Sequence, residues 1–486
     1  MKNFLLPRLR DIFFLAILIA ALGLGPRMLS LDSDLGRHLT IGGFTLDSRQ
    51  IPTRDLFSHT RADAPRPAYE WLTQVIFASA NRIAGLDGVV LFSGLVIASA
   101  FFIVYTDTAR RSRLPLAALG FSILAAAASS LHWLPRPHVV TFLLLAIWLG
   151  RLERVRRGET VPLWHFPILM LVWVNAHGGF IFGMLAWFAY FAGWAWERVR
   201  KQSDAQIGNK LIWVGGLSLT VTFVTPSLWG NWQAILNNNS FYILNRTLET
   251  MPPDFKQIGA WPFAILFLLS ILILLATRKT FPTTHFFLLG GFAVLGLTMA
   301  RNIPLFAIAV APILAERTRE LLEKSKRWLT VEANIAALES PLRGAVWPIL
   351  FGLGLALLIG GRYQVQKEAL SRFDARVFPV AATDWLVKHP QPGNMFNEFN
   401  WGGYLLVRLW PEKKVFLDSQ TDFYGEALVR EYEQALLAED GWEKTLAKYE
   451  VNWAILPVSS PLAGALEQSG WEVLYQDDVA SVLARK

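Results

Sequence analysis

Residues 12–39 read IFFLAILIAALGLGPRMLSLDSDLGRHL. From Ile12 to Leu29 the stretch is apolar except for Arg27. A helix needs about 20 such residues to cross the hydrocarbon core of a bilayer. Directly after it come Asp32, Asp34 and His38. The reading is therefore a membrane span that delivers two carboxylates and an imidazole to the water edge. The preceding MKNFLLPRLR gives the start the look of a signal peptide. No small-residue cleavage site follows, since Gly25-Pro26-Arg27 and Asp32-Ser33-Asp34 come next. The segment is expected to stay as the first span.

The rest of the chain repeats this pattern. Of 486 residues, 53% are hydrophobic and 17% charged, against roughly 25% charged in soluble domains. The apolar residues fall in long blocks, which excludes a soluble enzyme, a disordered scaffold and a fibrous protein. Expected spans are 12–29, 88–106, 114–131, 138–152, 162–175, 178–196, 210–225, 261–277, 284–300, 302–315 and 344–361. Segment 69–84 is apolar on one face but carries Gln74, Asn81 and Arg82. It reads as a helix lying at the interface. The fold class is thus a polytopic α-helical membrane protein of about eleven spans. The net charge is +8, but the basic residues sit in short clusters between apolar runs. They give topology and no nucleic-acid partner. Cysteine is absent, which removes disulfides, thiol nucleophiles and thiolate metal sites.

The positive-inside rule sets the direction. With Lys2, Arg8 and Arg10 in the cytoplasm, every later cluster falls on the same side. These are Arg110/Arg111/Arg113, Arg151/Arg154/Arg156/Arg157, Arg198/Arg200/Lys201, Arg278/Lys279 and Arg317/Arg319/Lys324/Lys326/Arg327. The N-terminus is then cytoplasmic. The first loop 30–87, the turn 175–179, the loop 226–260 and the tail face outward. Residues 1–361 form the membrane domain. From 362 to 486 charged residues become common, and alternating strands and helices predict an extracytoplasmic α/β domain. Strands are expected at 394–399, 414–417, 453–457, 472–475 and 480–483.

The residues with chemical potential collect on the outward face. Asp34 and His38 stand at i, i+4 and share one face of a helix that begins near Asp34. Asp34 also suits a helix cap. Arg136 lies between Pro135 and Pro137, with His138 next. Asn175 and His177 end one span ahead of Gly178-Gly179. Arg301 separates two apolar runs, where a charge is costly and commonly functional. Asp55 and Glu70 are further first-loop acids, read as a turn cap and a helix start.

Taken together, these segments resemble the GT-C superfamily of integral-membrane glycosyltransferases. More narrowly, Asp32–Leu39 with Pro52, Asp55, Phe57 and Ser58, Glu70-Trp71-Leu72, Trp173–Phe180 and Arg301–Phe306 are similar to an uncharacterised bacterial GT-C-like group. Phe396–Tyr404 and Val415–Asp418 of the tail match the same pattern. The resemblance implies a bacterial inner (plasma) membrane location, a polyprenyl-phosphate-linked sugar as donor and an extracytoplasmic lipid, glycan or protein acceptor. It also implies that a first-loop acid, Asp34 or Asp32, is the base on the acceptor. Arg301, Arg136, His177 and His138 are candidates for the donor phosphate, and His38, Asn175, Glu70, Trp401 and Tyr404 for substrate contacts. No cofactor is certain, and a divalent metal is left open by the His and carboxylate set. The alternative is a scaffold or lipid-linked glycan transporter with a degenerate GT-C fold. Mid-span residues are mostly Leu, Ala, Ile, Phe and Gly, which argues against a polar transport path.

Overall fold

A computed structural model describes residues 6–30, 32–237, 240–245, 247–277, 281–323, 325–344 and 346–486. Lys2, Arg278, Lys279 and Lys324 of the expected basic clusters lie outside the described residues. Each expected span falls on a helix. The series runs Leu9–Gly23, Trp71–Ser112, Pro115–Ser129, His138–Arg156, His165–Ala176, Phe180–Val199, Ala205–Val221, Trp261–Ala276, Thr283–Thr298, Ile303–Leu322 and Val346–Gln366. Among the described residues, four stretches are long and apolar enough to cross a membrane: Trp71–Ser112, Pro115–His132, Ile258–Ala276 and Val346–Gln366. The count of eleven rests on sequence hydropathy.

Helix Ile303–Leu322 occupies the centre, buried at every residue from Ile303 to Ala315. A helix apolar on all sides has to be enclosed by others. Around it Trp148, Trp173 and Phe101 are fully buried.

The interface helix and the second span are two halves of one element, Trp71–Ser112. They meet at a kink where Ala84 and Gly85 leave helical geometry. Gly85 has φ +62°, and a Cβ there would come within 2.7 Å of the Tyr363 ring. Glycine alone meets both demands without strain. The first-loop helix Leu35–Ser48 crosses the N-terminal half at Gly42, whose added Cβ would stand 2.0 Å from the Gln74 carbonyl.

The cap expected of Asp34 is made by Asp32 instead. Asp34 occupies the N-cap position without a side-chain cap bond. The Asp32 carboxylate accepts from the backbone N–H groups of Asp34 and Leu35 at 2.8 and 3.2 Å.

The tail contains a four-stranded sheet: β1 Asn394–Asn397, β2 Val451–Pro457, β3 Glu472–Gln476 and β4 Ala480–Ala484, in the order β1-β2-β4-β3. β1 and β2 are parallel, and β4 is antiparallel to both neighbours. The strand expected at 414–417 does not join it. Val415 makes one bridge to Ser58 of the first loop, a link between domains. The first loop also completes the tail's core, where Ile41 and Phe57 pack with Met395, Trp401, Tyr404 and Trp453. The contact is closest where helix Gly402–Leu409 meets the first-loop helix. A Cβ on Gly36 would lie 2.1 Å from the Gly403 carbonyl oxygen, and one on Gly403 2.3 Å from that of Ser33.

Candidate active site

A cavity of about 330 Å³ opens between the first loop, the helix ends next to it and the tail. Asp34, His38, Glu70, Arg136, His138, His177 and Arg301 all line it. Arg37, Tyr69, His132, Glu249 and Asp422 join them. Its acids come from the first loop (Asp34 and Glu70), the loop 226–260 (Glu249) and the tail (Asp422).

Asp32 is fully buried behind the cavity and receives the Arg136 Nε–H at 2.8 Å. Its second oxygen is buried without a partner among the described residues. Burial pushes its carboxyl up to about 6; Arg136 opposes this and the charge of Asp34 adds to it. Asp34 faces the cavity. Its Oδ1 accepts from Arg37 at 2.9 Å and from the Ser419 hydroxyl, and its Oδ2 pairs with Arg136 at 2.9 Å. Burial alone would raise this carboxyl, but Arg136 and Arg37 outweigh it and hold it well below the usual range.

Glu70 is the contrasting acid. It sits at the start of helix Trp71–Ser112. Its carboxylate lies 3.9 Å from Arg37, 3.8 Å from His38 Nδ1 and 4.0 Å from His177 Nε2. None of these is a hydrogen bond. Burial pushes Glu70 up to about 7 against the pull of Arg37. A carboxyl tuned this way exchanges a proton near neutral pH.

The histidines are neutral donors. His177 Nδ1 accepts the Gly179 backbone N–H at 3.0 Å and lies 2.8 Å from the Thr141 hydroxyl. Its proton therefore sits on Nε2, on the side of Glu70. Burial, with His138 and Arg301 nearby, lowers His177 to about 3. Gly179 makes this arrangement possible, because a Cβ there would come within 2.7 Å of Nδ1. His38 is also held well below its ordinary value, first by burial and then by Arg37. His138 spends Nε2 on the His132 carbonyl at 2.7 Å. Arg301, in the short turn Ala300–Asn302, is exposed and has no hydrogen bond or ion pair among the described residues. It is a cation free to take an anion.

Three expected contact residues sit elsewhere. Asn175 is buried and spends its amide on Trp71, Leu171 and Val224. Trp401 and Tyr404 lie in the tail's core; the Trp401 indole N–H donates to the Val377 carbonyl, and the Tyr404 hydroxyl meets Thr383. Their aromatic character serves packing. Asp55 caps the turn at Ser58 and pairs with Arg66 at 2.6 Å, as its turn reading expects.

Sequence reasoning missed Arg37 and Glu249. Arg37 is buried and ties Asp34 to Gln420 at 2.9 Å, with Asp418 3.6 Å away. It stands beside His38, and its burial could not be read from spacing. Glu249 accepts from Arg136 at 3.1 Å. It lies in the loop 226–260, and a census of that loop's acids would have included it.

Among solved structures, the chain is similar to the Archaeoglobus fulgidus oligosaccharyltransferase. The apo form superposes with a TM-score of 0.54 at 11% identity, over 92% of this chain and 69% of that one. The form tethered with an acceptor peptide containing the NVT sequon gives 0.56 at 13% identity, over 91% and 69%. ArnT from Cupriavidus metallidurans aligns over 97% of both chains at 12% identity, with a TM-score of 0.38. No protein family and no curated protein matches the chain. At these identities the likeness shows the fold, and the fold is GT-C, as the sequence resemblance implies.

Proposed function

We propose that this chain of GT-C fold transfers a sugar from a polyprenyl-phosphate-linked donor to an acceptor on the extracytoplasmic face of the membrane. The supporting observation is a single cavity with uncommitted groups of both needed kinds: the Glu70 carboxyl as a proton acceptor, and the Arg301 guanidinium with the His177 Nε2–H as partners for an anion.

The acceptor hydroxyl attacks the sugar C1, and the bond from C1 to the phosphate oxygen breaks. The proton passes to Glu70, whose raised pKa suits it as general base. The leaving polyprenyl phosphate carries the electron pair away. Arg301 grips it as a charge-assisted fork, and His177 donates a further hydrogen bond. The sequence resemblance assigns the base to Asp34 or Asp32. Asp32 lies behind the cavity and outside its lining, with one oxygen capping the first-loop helix, and Asp34 has both oxygens engaged by cations. In this account Asp34 fixes Arg37 and Arg136 and orients the acceptor.

The test is native mass spectrometry of the full chain purified in detergent, wild type beside Arg301→Ala. A polyprenyl phosphate or its sugar conjugate on the wild type, lost in the variant, is the expected result. Well-folded wild type carrying ordinary phospholipids alone refutes the donor site and favours the scaffold alternative.

A further inference from the structure

Glycosyl transfer at a cluster of acids raises the question of a metal. Magnesium takes carboxylate and water oxygens at about 2.0–2.1 Å in an octahedron, and manganese takes the same kinds of ligand in the same geometry. The acids clustered beside the cavity's cations are Asp32, Asp34 and Glu249, and all three converge on Arg136. Asp32 Oδ1 meets its Nε at 2.8 Å, and Asp34 Oδ2 and Glu249 Oε2 meet its Nη1 at 2.9 and 3.1 Å. Asp32 Oδ1 further caps the first-loop helix, and Asp34 Oδ1 is held by Arg37 and Ser419.

We infer that Arg136 is the resident cation of this site: its guanidinium gathers the three carboxylates that would otherwise hold a divalent metal ion, and the site does not take one. A metal could enter only by expelling the guanidinium, which cannot shed its charge. The flanking Pro135 and Pro137, and the bond from the Arg136 N–H to the Leu134 carbonyl at 2.8 Å, hold its backbone in place. Arg136 Nη2 has no partner among the described residues, and the residue lines the cavity. The side chain thus gathers acids with two nitrogens and keeps the third for an anion. Among the described residues, the group with metal-ligand spacing is Glu153, His285 and Glu316, away from this cavity. There Arg156 and Arg157 already hold the Glu153 carboxylate at 2.6 and 2.8 Å. The inference rests on the geometry of the cavity and not on the identity of the sugar donor, so failure to find a lipid phosphate adduct would leave it standing.

The experiment is a titration of the detergent-solubilised full chain with Mn²⁺ alone, read by electron paramagnetic resonance. Wild type, Arg136→Met, Arg136→Met with Asp34→Asn, and Asp34→Asn are compared, each checked for folding by thermal unfolding. Wild type is expected to bind no stoichiometric Mn²⁺ up to about 1 mM. Arg136→Met is expected to gain one site, tighter by about tenfold or more, and to lose it again with Asp34→Asn. A saturable wild-type site that Asp34→Asn abolishes overturns the inference. So does a folded Arg136→Met that gains nothing. If Arg136→Met does not fold, the comparison of wild type with Asp34→Asn decides alone: an Asp34-dependent site overturns the inference, and none supports it.

Discussion

Replacing Gly403 by alanine adds one methyl group where the tail crosses the first-loop helix. That Cβ would stand 2.3 Å from the Ser33 carbonyl oxygen and 3.2 Å from the Arg37 nitrogen. Both neighbours are backbone and cannot rotate away. Restoring the 3.4 Å of ordinary contact from 2.3 Å requires a retreat of about 1.1 Å. The bond from Arg37 to Gln420 spans the same seam at 2.9 Å. A retreat of that size stretches it to about 4 Å, beyond hydrogen bonding. Losing one bond to a charged donor costs about 1.5–3 kcal/mol, and residual overpacking adds a similar amount. A cost of about 3 kcal/mol lowers the unfolding temperature of a unit the size of the tail by about 11 °C. Scanning fluorimetry in detergent reads this directly. Gly464→Ala is the matched control, since a Cβ there meets nothing within 4 Å. Gly403→Ala melting within a degree of Gly464→Ala would refute the crossing as the joint between tail and site.

Glu70→Gln is expected to lower turnover by about 10²-fold or more and to abolish its rise with pH through about 7, measured as a pH profile of product formation. The same group leaves a mark on stability. A carboxyl with a raised folded pKa binds its proton more tightly in the folded state, so its contribution falls as pH climbs from the ordinary carboxylate range to about 7. Glu70→Gln should flatten that slope in part, with Asp32 supplying the remainder up to about 6. Asp34 acts in the opposite sense: its contribution is present above the ordinary carboxylate range and is lost as pH falls below it. Gly179→Ala should push on His177 Nδ1 and weaken polyprenyl phosphate binding by about tenfold, the worth of one hydrogen bond. Unchanged occupancy in native mass spectra would count against His177 as a phosphate donor.

The membrane architecture was legible because it depends on long apolar blocks and on charge between them, both local in sequence. The kink at Gly85 escaped. A glycine between two expected helices gives no sign that they join as one element, bent against Tyr363. The run 414–417 has strand composition but no strand partner in the tail, because Val415 pairs with Ser58 across more than three hundred residues. The site was readable at the level of residue type. Asp34, His38, Glu70, Arg136, His138, His177 and Arg301 all reach one cavity. Their division of labour was not, because it depends on which carboxylate oxygens are already engaged. Arg37 decides that for Asp34, and its burial arises from the tail docking over the first loop. Trp401 and Tyr404 show the converse: aromatic residues beside a motif look like substrate contacts until the packing around Phe378 and Phe373 is seen.

The central claim is that the cavity breaks the bond between a sugar and a polyprenyl phosphate. The direct measurement is release of free polyprenyl phosphate, followed by mass spectrometry, from vesicles holding the purified chain and a bacterial membrane extract that supplies both polyprenyl-phosphate sugars and the lipid, glycan and protein acceptors. The account predicts time-dependent release by wild type that collapses in both Glu70→Gln and Arg301→Ala. Release that persists undiminished in these two variants, or no release by folded wild type that carries the donor, would contradict it.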